Sequence, residues 1–275
     1  MYTKEYNMRT AFCDSLSRMI DWPLSGGRTK PLVKQSDRRL MRRIALSSLV
    51  ISAVLAASGP ASADPAPVVI ELFTSQGCSS CPPADELVKH LAERQDVLPL
   101  AFHVDYWDYI GWADIFADPA YTDRQRGYAH VGGRNMIYTP QMIIMGREDV
   151  VGADVMEVSE ALSAYLGQKP KVQLTTGRSE EQLTVSAPAL PDGMSGQFRV
   201  QLVRYKPLER VEIKRGELAG NTVDYANIVE SLEVLADWTG AEPLEVTASF
   251  AGELPAAVLV QEWPFGPIFA AARVE

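Results

Sequence analysis

Three histidines and three cysteines among 275 residues leave little from which to build a metal centre. His90, His103 and His130 show no ligand spacing, and a lone cysteine pair falls short of the four donors that a closed zinc site takes. Basic residues are also scarce where they would matter. Of the 26 lysines and arginines, 10 lie in residues 1–63, together with 4 of the 35 acidic residues, so the rest of the chain carries a formal charge of −15. Such a body repels phosphate backbones, and nucleic acid is not expected as a partner. No apolar run reaches the roughly 20 residues of a membrane span, nothing repeats, and no tract is of low complexity. A chain of this length with 47% hydrophobic residues can bury real cores.

The basic excess at the front has its own explanation. Arg38, Arg39, Arg42 and Arg43 precede the apolar stretch from Ile44 to Ala57, and Ala61-Ser62-Ala63 follows as a small-residue cleavage site. These are the three parts of a secretory signal peptide. The expectation is a signal over 41–63, translated from Met41, with residues 1–40 a disordered extension or a mis-assigned start. The mature protein is then periplasmic or secreted, with no stable membrane span after signal removal. Export discards Cys13 and leaves Cys78 and Cys81 as a pair, free to form a disulfide in an oxidising compartment.

Behind the signal the chain reads as two textures. From Pro67 to Phe73 the run PVVIELF predicts a strand buried on both faces, and VLPLAFHV from Val97 to Val104 predicts a second. Between them Pro82 and Pro83 suit a first helical turn, and ADELVKHLAER continues with Leu87, Val88 and Leu91 at helical spacing. After an irregular, aromatic-rich segment over 105–135, QMIIM and GREDVVGAD predict a hairpin. A last helix over 154–167 follows, with Asp154 as its N-cap and Gly167 as its stop. Gln168-Lys169-Pro170 reads as a linker. Beyond it, short alternating segments such as EQLTVSAP, QFRVQLVRY and AAVLVQEW predict an antiparallel sandwich or barrel. The expected division is 64–168 for an α/β domain with a helical insert and 169–275 for a β-sandwich-like domain.

The stretch GCSSCPPAD carries the chemistry. Strand, turn, Cys-x-x-Cys and helix is an order that suits redox work. A helix N-terminus favours the Cys78 thiolate through its dipole, and a two-residue gap lets Cys81 close a disulfide against it. Cys78 would attack and Cys81 resolve. Two other readings stand beside this one. A four-residue loop gains little stability from a staple, yet the pair is also compatible with a non-catalytic disulfide, or with copper(I).

From VVIELFTSQGCSSCPPAD to YTPQMIIMGREDVVGAD the chain resembles a thioredoxin fold. That resemblance implies a cis Pro140 lying against the dithiol, with Thr139 presenting its backbone to a substrate. It also implies a buried acid, here Glu71, moving the proton of Cys81. More specifically, ELFTSQGCSSCPPAD with HVDYWDYIGWAD, and RGE followed by Asn-Ile-Val, is similar to a family of bacterial secreted proteins known as domain of unknown function 1223, over residues 67–275. Gly77 stands where thioredoxin has tryptophan, and the aromatic insert lengthens the path to Pro140, so potential and partner do not transfer.

The supporting residues have plainer alternatives. Glu71 either serves Cys81 or pairs with a basic residue such as Arg147. Asp105, Tyr106, Trp107, Asp108 and Trp112 either wall a peptide groove over the dithiol or fasten the insert to the sheet. His103 reads as a core histidine. In the C-terminal part, Gly216-Glu217, Tyr225 and Asn227 read as turn chemistry. The expected function is therefore an exported thiol-disulfide oxidoreductase acting on protein thiols or disulfides, with an unknown redox partner and no cofactor or metal. The alternative is a binding or assembly module with an inert disulfide.

Overall fold

The computed structural model describes residues 66–191 and 193–274. The expected extension over 1–40 and the expected signal over 41–63 lie outside these residues.

β1 (Val68–Thr74) and β2 (Val97–His103) are buried at every position. They pair in parallel, from Val68 opposite Val97 to Thr74 opposite His103. The parallel pairing requires a crossover, and α1 (Pro82–Ala92) supplies it. Its two leading prolines occupy positions where a missing N–H costs nothing, and Ala84, Asp85, Val88 and Leu91 form its buried stripe. α2 (Pro119–Val131) follows β2 and starts on Asp118, whose carboxylate accepts the Ala120 N–H. β3 (Gln141–Ile144) then runs antiparallel along the other side of β1 and returns as β4 (Glu148–Val151). The turn between them needs Gly146: its φ is +67°, and a side chain there would meet the Gly266 carbonyl oxygen at 2.5 Å. α3 (Val155–Tyr165) starts, as its sequence predicts, on Asp154, which accepts the Met156 and Glu157 N–H groups.

The two-residue period of β1 divides the molecule into layers. Val68, Ile70 and Leu72 face a core completed by Ala84, Val88 and Leu91 of α1 and by Val158 and Leu162 of α3. Val69 and Phe73 face the opposite core, with Phe102 of β2 and with Tyr121 and Tyr128 of α2.

Residues beyond 168 give β5 (Thr175–Arg178), β6 (Gln182–Ala187), β7 (Phe198–Glu212), β8 (Thr222–Trp238), β9 (Leu244–Ser249), β10 (Ala256–Glu262) and β11 (Ile268–Val274). They do not build an independent β-sandwich-like unit. β7, β8, β10 and β11 continue the first sheet in the order β11-β10-β7-β8-β2-β1-β3-β4, while β5, β6 and β9 form a separate three-stranded sheet. A sandwich-like core does lie between that small sheet and β7, β10 and β11, where Leu183, Val185, Val200, Leu202, Phe250 and Val260 meet. One of its layers is thus shared with β1–β4. The physical reason lies at the β2–β8 seam, where joining removes two open strand edges. Pro99 of β2 has no N–H to donate, and the seam holds a paired position at Ala101 with Ile228. Beside it the Asn227 side-chain amide donates to the Pro99 carbonyl at 2.9 Å.

Candidate functional site

Cys78 and Cys81 lie in the turn after β1, at the end of the sheet where the chain enters α1. The Cys78 N–H donates to the Ser75 carbonyl at 3.1 Å and the Cys81 N–H to the Cys78 carbonyl at 3.2 Å. The sulfurs are joined as a disulfide, with the Cα atoms 5.4 Å apart. Cys81 is the N-cap of α1, with φ −79° and ψ −31°, rather than a residue one turn inside it. This changes what the helix offers Cys78. Pro82 and Pro83 carry no N–H, and the Ala84 and Asp85 N–H groups both donate to the Cys81 carbonyl, at 2.9 and 3.1 Å. The free donors of an ordinary helix start are therefore missing, and the dipole remains. The Ser80 hydroxyl lies 3.4 Å from the Cys78 sulfur.

Both cysteines are covered: Cys78 is 2% exposed and Cys81 0%. The aromatic insert packs on Gly77, the residue before Cys78. A Cβ on Gly77 would sit 3.0 Å from the Trp107 Cβ and 3.2 Å from its carbonyl oxygen, so glycine is what admits the insert this close. Trp107 donates its indole N–H to the Thr139 hydroxyl at 2.8 Å, and Trp112 donates to the Gln76 side-chain oxygen at 2.8 Å. The Tyr106 hydroxyl is 3.2 Å from Gln125 Oε1 on α2, and burial pushes its pKa up to about 12. Asp105 Oδ1 accepts from the Thr122 hydroxyl at 2.5 Å, and Asp108 Oδ1 accepts the Asp114 N–H at 3.0 Å. These residues fasten the insert, and Trp107 also roofs the dithiol turn. Thr139 and Pro140, joined by a cis peptide bond, arrive at the same place. The Thr139 carbonyl accepts from the Ser80 hydroxyl at 3.5 Å, and the Pro140 carbonyl from the Gly152 N–H at 3.0 Å.

Glu71 does not join this group. On β1 it shares a face with Val69 and Phe73, which look toward α2, whereas α1 covers the opposite face. Its Oε1 accepts from the buried Arg124 guanidinium at 2.7 and 3.2 Å. Arg124 also donates to the Tyr128 hydroxyl at 3.1 Å and to Gln261 at 2.9 Å. The basic partner is thus Arg124, on α2, and not Arg147. The cluster ties α2 to β1 and β10.

A different acid stands behind the dithiol. Asp85 lies in the buried stripe of α1, 3% exposed, on the same helical face as Cys81. Its Oδ1 accepts from the Thr74 hydroxyl at 2.8 Å, while its Oδ2 is buried without a partner. Burial raises its pKa to about 7, against the opposing effects of His103 and Thr74 and with a further raising effect from Asp114. Thr74 and His103 are register neighbours at the ends of β1 and β2. His103 Nδ1 is 2.7 Å from Asp114 Oδ2, which also accepts the Gln76 N–H at 2.7 Å, and His103 Nε2 has no partner. Tyr225 of β8 packs its ring on His103, centroids 5.0 Å apart, and its hydroxyl is likewise unpartnered. Burial, with Asp85 and Asp114 nearby, holds the Tyr225 hydroxyl far above the ordinary tyrosine value. His103 is a core histidine, as its sequence context implies, but one with polar company. The signal for Asp85 was a charged residue in an otherwise apolar helical stripe, four positions after Cys81.

Among the described residues no three His, Cys, Asp or Glu side chains gather as a metal-binding group, and no helix is long and apolar enough to cross a membrane. A cleft of about 180 Å³ lined by Arg147, Tyr165, Lys169 and Phe269 also touches Val68, at the other end of β1 from the dithiol.

Known structures share this arrangement of strands and helices. The crystal structure of Protein AGR_C_4864 from Agrobacterium tumefaciens matches with 32% identity and a TM-score of 0.65, over 77% of this chain and 95% of that one. HBP35 of Porphyromonas gingivalis, at 13% identity, TM-score 0.52 and coverage of 76% and 74%, shares the fold alone. No curated protein matches the chain. Residues 69–261, which run from β1 through β10 and across the seam between the two halves of the large sheet, place the chain in the family described as Protein of unknown function (DUF1223).

Proposed function

We propose that this protein is an exported thiol-disulfide oxidoreductase, its α/β half a thioredoxin-like unit, and its substrates protein thiols or disulfides. The observation that carries the reading is the meeting of the Cys78–Cys81 disulfide with the Thr139–Pro140 segment, which lies 59 positions along the chain from Ser80 and touches it through the Thr139 carbonyl. In the oxidising direction a client thiolate attacks the Cys78 sulfur, the Cys78–Cys81 bond breaks, and Cys81 leaves with the electron pair. A second client thiolate then attacks the client sulfur of the mixed disulfide and Cys78 leaves as a thiolate. The client has lost two electrons and the cysteine pair has gained them. The reducing direction is the same path reversed. Cys78 is the attacking and attacked sulfur, Cys81 the resolving one, and Thr139, Pro140 and Trp107 border the place where a client chain would lie. Tyr106, hydrogen-bonded to Gln125 of α2, supports that border from the insert. Export rests on the signal peptide read from residues 41–63.

A second reading has one observation in its favour, the near-complete burial of both cysteines. On that reading the disulfide is inert and the fold serves as a binding or assembly module. Trapping separates the two. In the oxidoreductase, Cys81→Ser accumulates mixed disulfides through Cys78 with exported proteins, and the wild-type pair equilibrates with a glutathione series. A pair that neither exchanges with glutathione nor traps a client, in protein whose disulfide has first been reduced by dithiothreitol, leaves the module.

A further inference from the structure

The buried acid behind the dithiol belongs to neither role assigned so far. We propose that Asp85 takes the Cys81 thiol proton when the cysteine pair is oxidised and returns it when the pair is reduced, with Thr74, whose hydroxyl donates to Asp85 Oδ1, as its positioning residue. The inference deepens the oxidoreductase reading and rests on it.

Three observations carry the proposal. The first is helical geometry. Cys81, though the N-cap, has α-helical dihedrals, and the Asp85 N–H donates to its carbonyl as in a regular turn. Side chains at this spacing share a face with their Cβ atoms about 5–6 Å apart, a gap that a carboxyl and a sulfur can close between them. The second is an unfilled valence. Asp85 Oδ1 is satisfied by Thr74, but Oδ2 is buried with no donor. In the disulfide the Cys81 sulfur carries no hydrogen. Reduction creates a thiol four positions before Asp85, on the same helical face as the oxygen that lacks a donor.

The third is the make-up of its surroundings. From β1 the group facing Asp85 is the neutral Thr74; from β2 it is His103, from the insert Asp114, and from β8 the Tyr225 hydroxyl. The nearby charges on the outer side of α1 are occupied with each other. Lys89 pairs with Glu86 at 2.7 Å and reaches Asp224 at 3.8 Å, and Arg210 pairs with Asp224 at 2.6 Å. Among the described residues no lysine or arginine pairs with Asp85, and burial outweighs the lowering effect of His103, so a proton is the species that neutralises it. Burial places its titration at about 7, where it can both give and take a proton under neutral conditions.

The step balances. As a client thiolate attacks Cys78, the electron pair of the breaking S–S bond goes to the Cys81 sulfur, the Asp85 carboxylic proton follows it, and Asp85 is left as a carboxylate. Oxidation of the pair runs the same transfer backward, and Asp85 is protonated again.

The test reads the sulfur directly. In Cys78→Ser, Cys81 is the one thiol of the mature chain, and its thiolate absorbance can be titrated without any reagent reaching it. With Asp85 present, the two groups titrate as a coupled pair in two steps. Asp85→Asn in that background is expected to collapse the titration to one step with its midpoint about tenfold lower in proton affinity, and Asp85→Glu to restore two steps. Thr74→Val, which keeps the shape but removes the hydrogen bond to Oδ1, shifts the first step upward and gives an independent reading should Asp85→Asn fail to fold. A Cys81 titration unchanged by these substitutions overturns the proposal. Failure of the wild-type pair to exchange with oxidised glutathione, with the coupled titration intact, instead removes the oxidoreductase reading and leaves the pairing of Asp85 with Cys81 standing.

Discussion

The backbone N–H of Asp85 donates to the carbonyl of Cys81 at 3.1 Å, and both side chains emerge on the buried face of α1. A carboxyl in that position shapes stability as well as chemistry. Its pKa is raised by burial to about 7, so between about pH 4 and 7 the folded protein holds a proton that the unfolded chain releases. The folded state binds more protons across this window, and stability therefore falls as pH rises through it. The Asp85 contribution is fully present below the unfolded value and lost above about 7. Asp85→Asn is expected to flatten this part of the profile and to make the oxidised protein more stable than wild type at pH 8, by up to about 4 kcal/mol. Denaturant unfolding at a series of pH values measures it. A wild-type profile that rises toward pH 7, or a variant with the same slope, contradicts it.

Glu71 and Arg124 form a buried ion pair. Both are buried, and removing one partner leaves the other's charge without compensation, at a cost of about 3–5 kcal/mol. Glu71→Gln is thus expected to lower the denaturation midpoint strongly while leaving the pH dependence of disulfide exchange at Cys78 unchanged. Exchange kinetics across pH, measured well below the unfolding transition, check the second half of the statement.

Trp107 is expected to control access. It lies over Gly77 and is tied to Thr139, while the neighbouring Cys78 is 2% exposed. Trp107→Ala opens this roof, and reduction of the disulfide by dithiothreitol is expected to accelerate at least about tenfold, a change of about 1.4 kcal/mol in barrier. Equal reduction rates in the two proteins show that something other than the insert guards the sulfur.

Tyr225 presents a buried hydroxyl without a partner. Tyr225→Phe keeps the ring packing on His103 and Phe116 and removes that desolvated group. The expected effect is a gain in stability of about 1 kcal/mol, read as an increase in denaturation midpoint with an unchanged slope. A loss of similar size shows that the hydroxyl has a partner in solution.

Much of the α/β half was legible in the chain. PVVIELF and VLPLAFHV are buried strands because a β-branched apolar run of that length suits a sheet covered on both faces. PPADELVKHLA is a helix because its prolines and its apolar spacing agree, and Asp154 caps α3 because its carboxylate reaches the N–H groups of its own first turn. Cys78, Cys81, Thr139 and Pro140 were also readable as one neighbourhood, through the resemblance and the strand-turn-helix order, while Trp107 was open between walling that place and fastening the insert. The sequence left Glu71 between Cys81 and a basic partner such as Arg147, and the structure supplies Arg124. Helices α1 and α2 take opposite faces of the sheet, and that assignment comes from packing.

Local pattern determined the strands, helices, caps and the spacing of the cysteine pair, because each depends on dihedral preferences and side-chain periodicity within a few residues. Tertiary structure alone decided that β8 joins β2, that Arg124 answers Glu71, that Trp107 closes over Gly77, and that Asp85, His103, Asp114 and Tyr225 share one buried compartment. Those contacts join residues far apart in the chain, and their energies arise from desolvation and close packing that come into being when the layers meet.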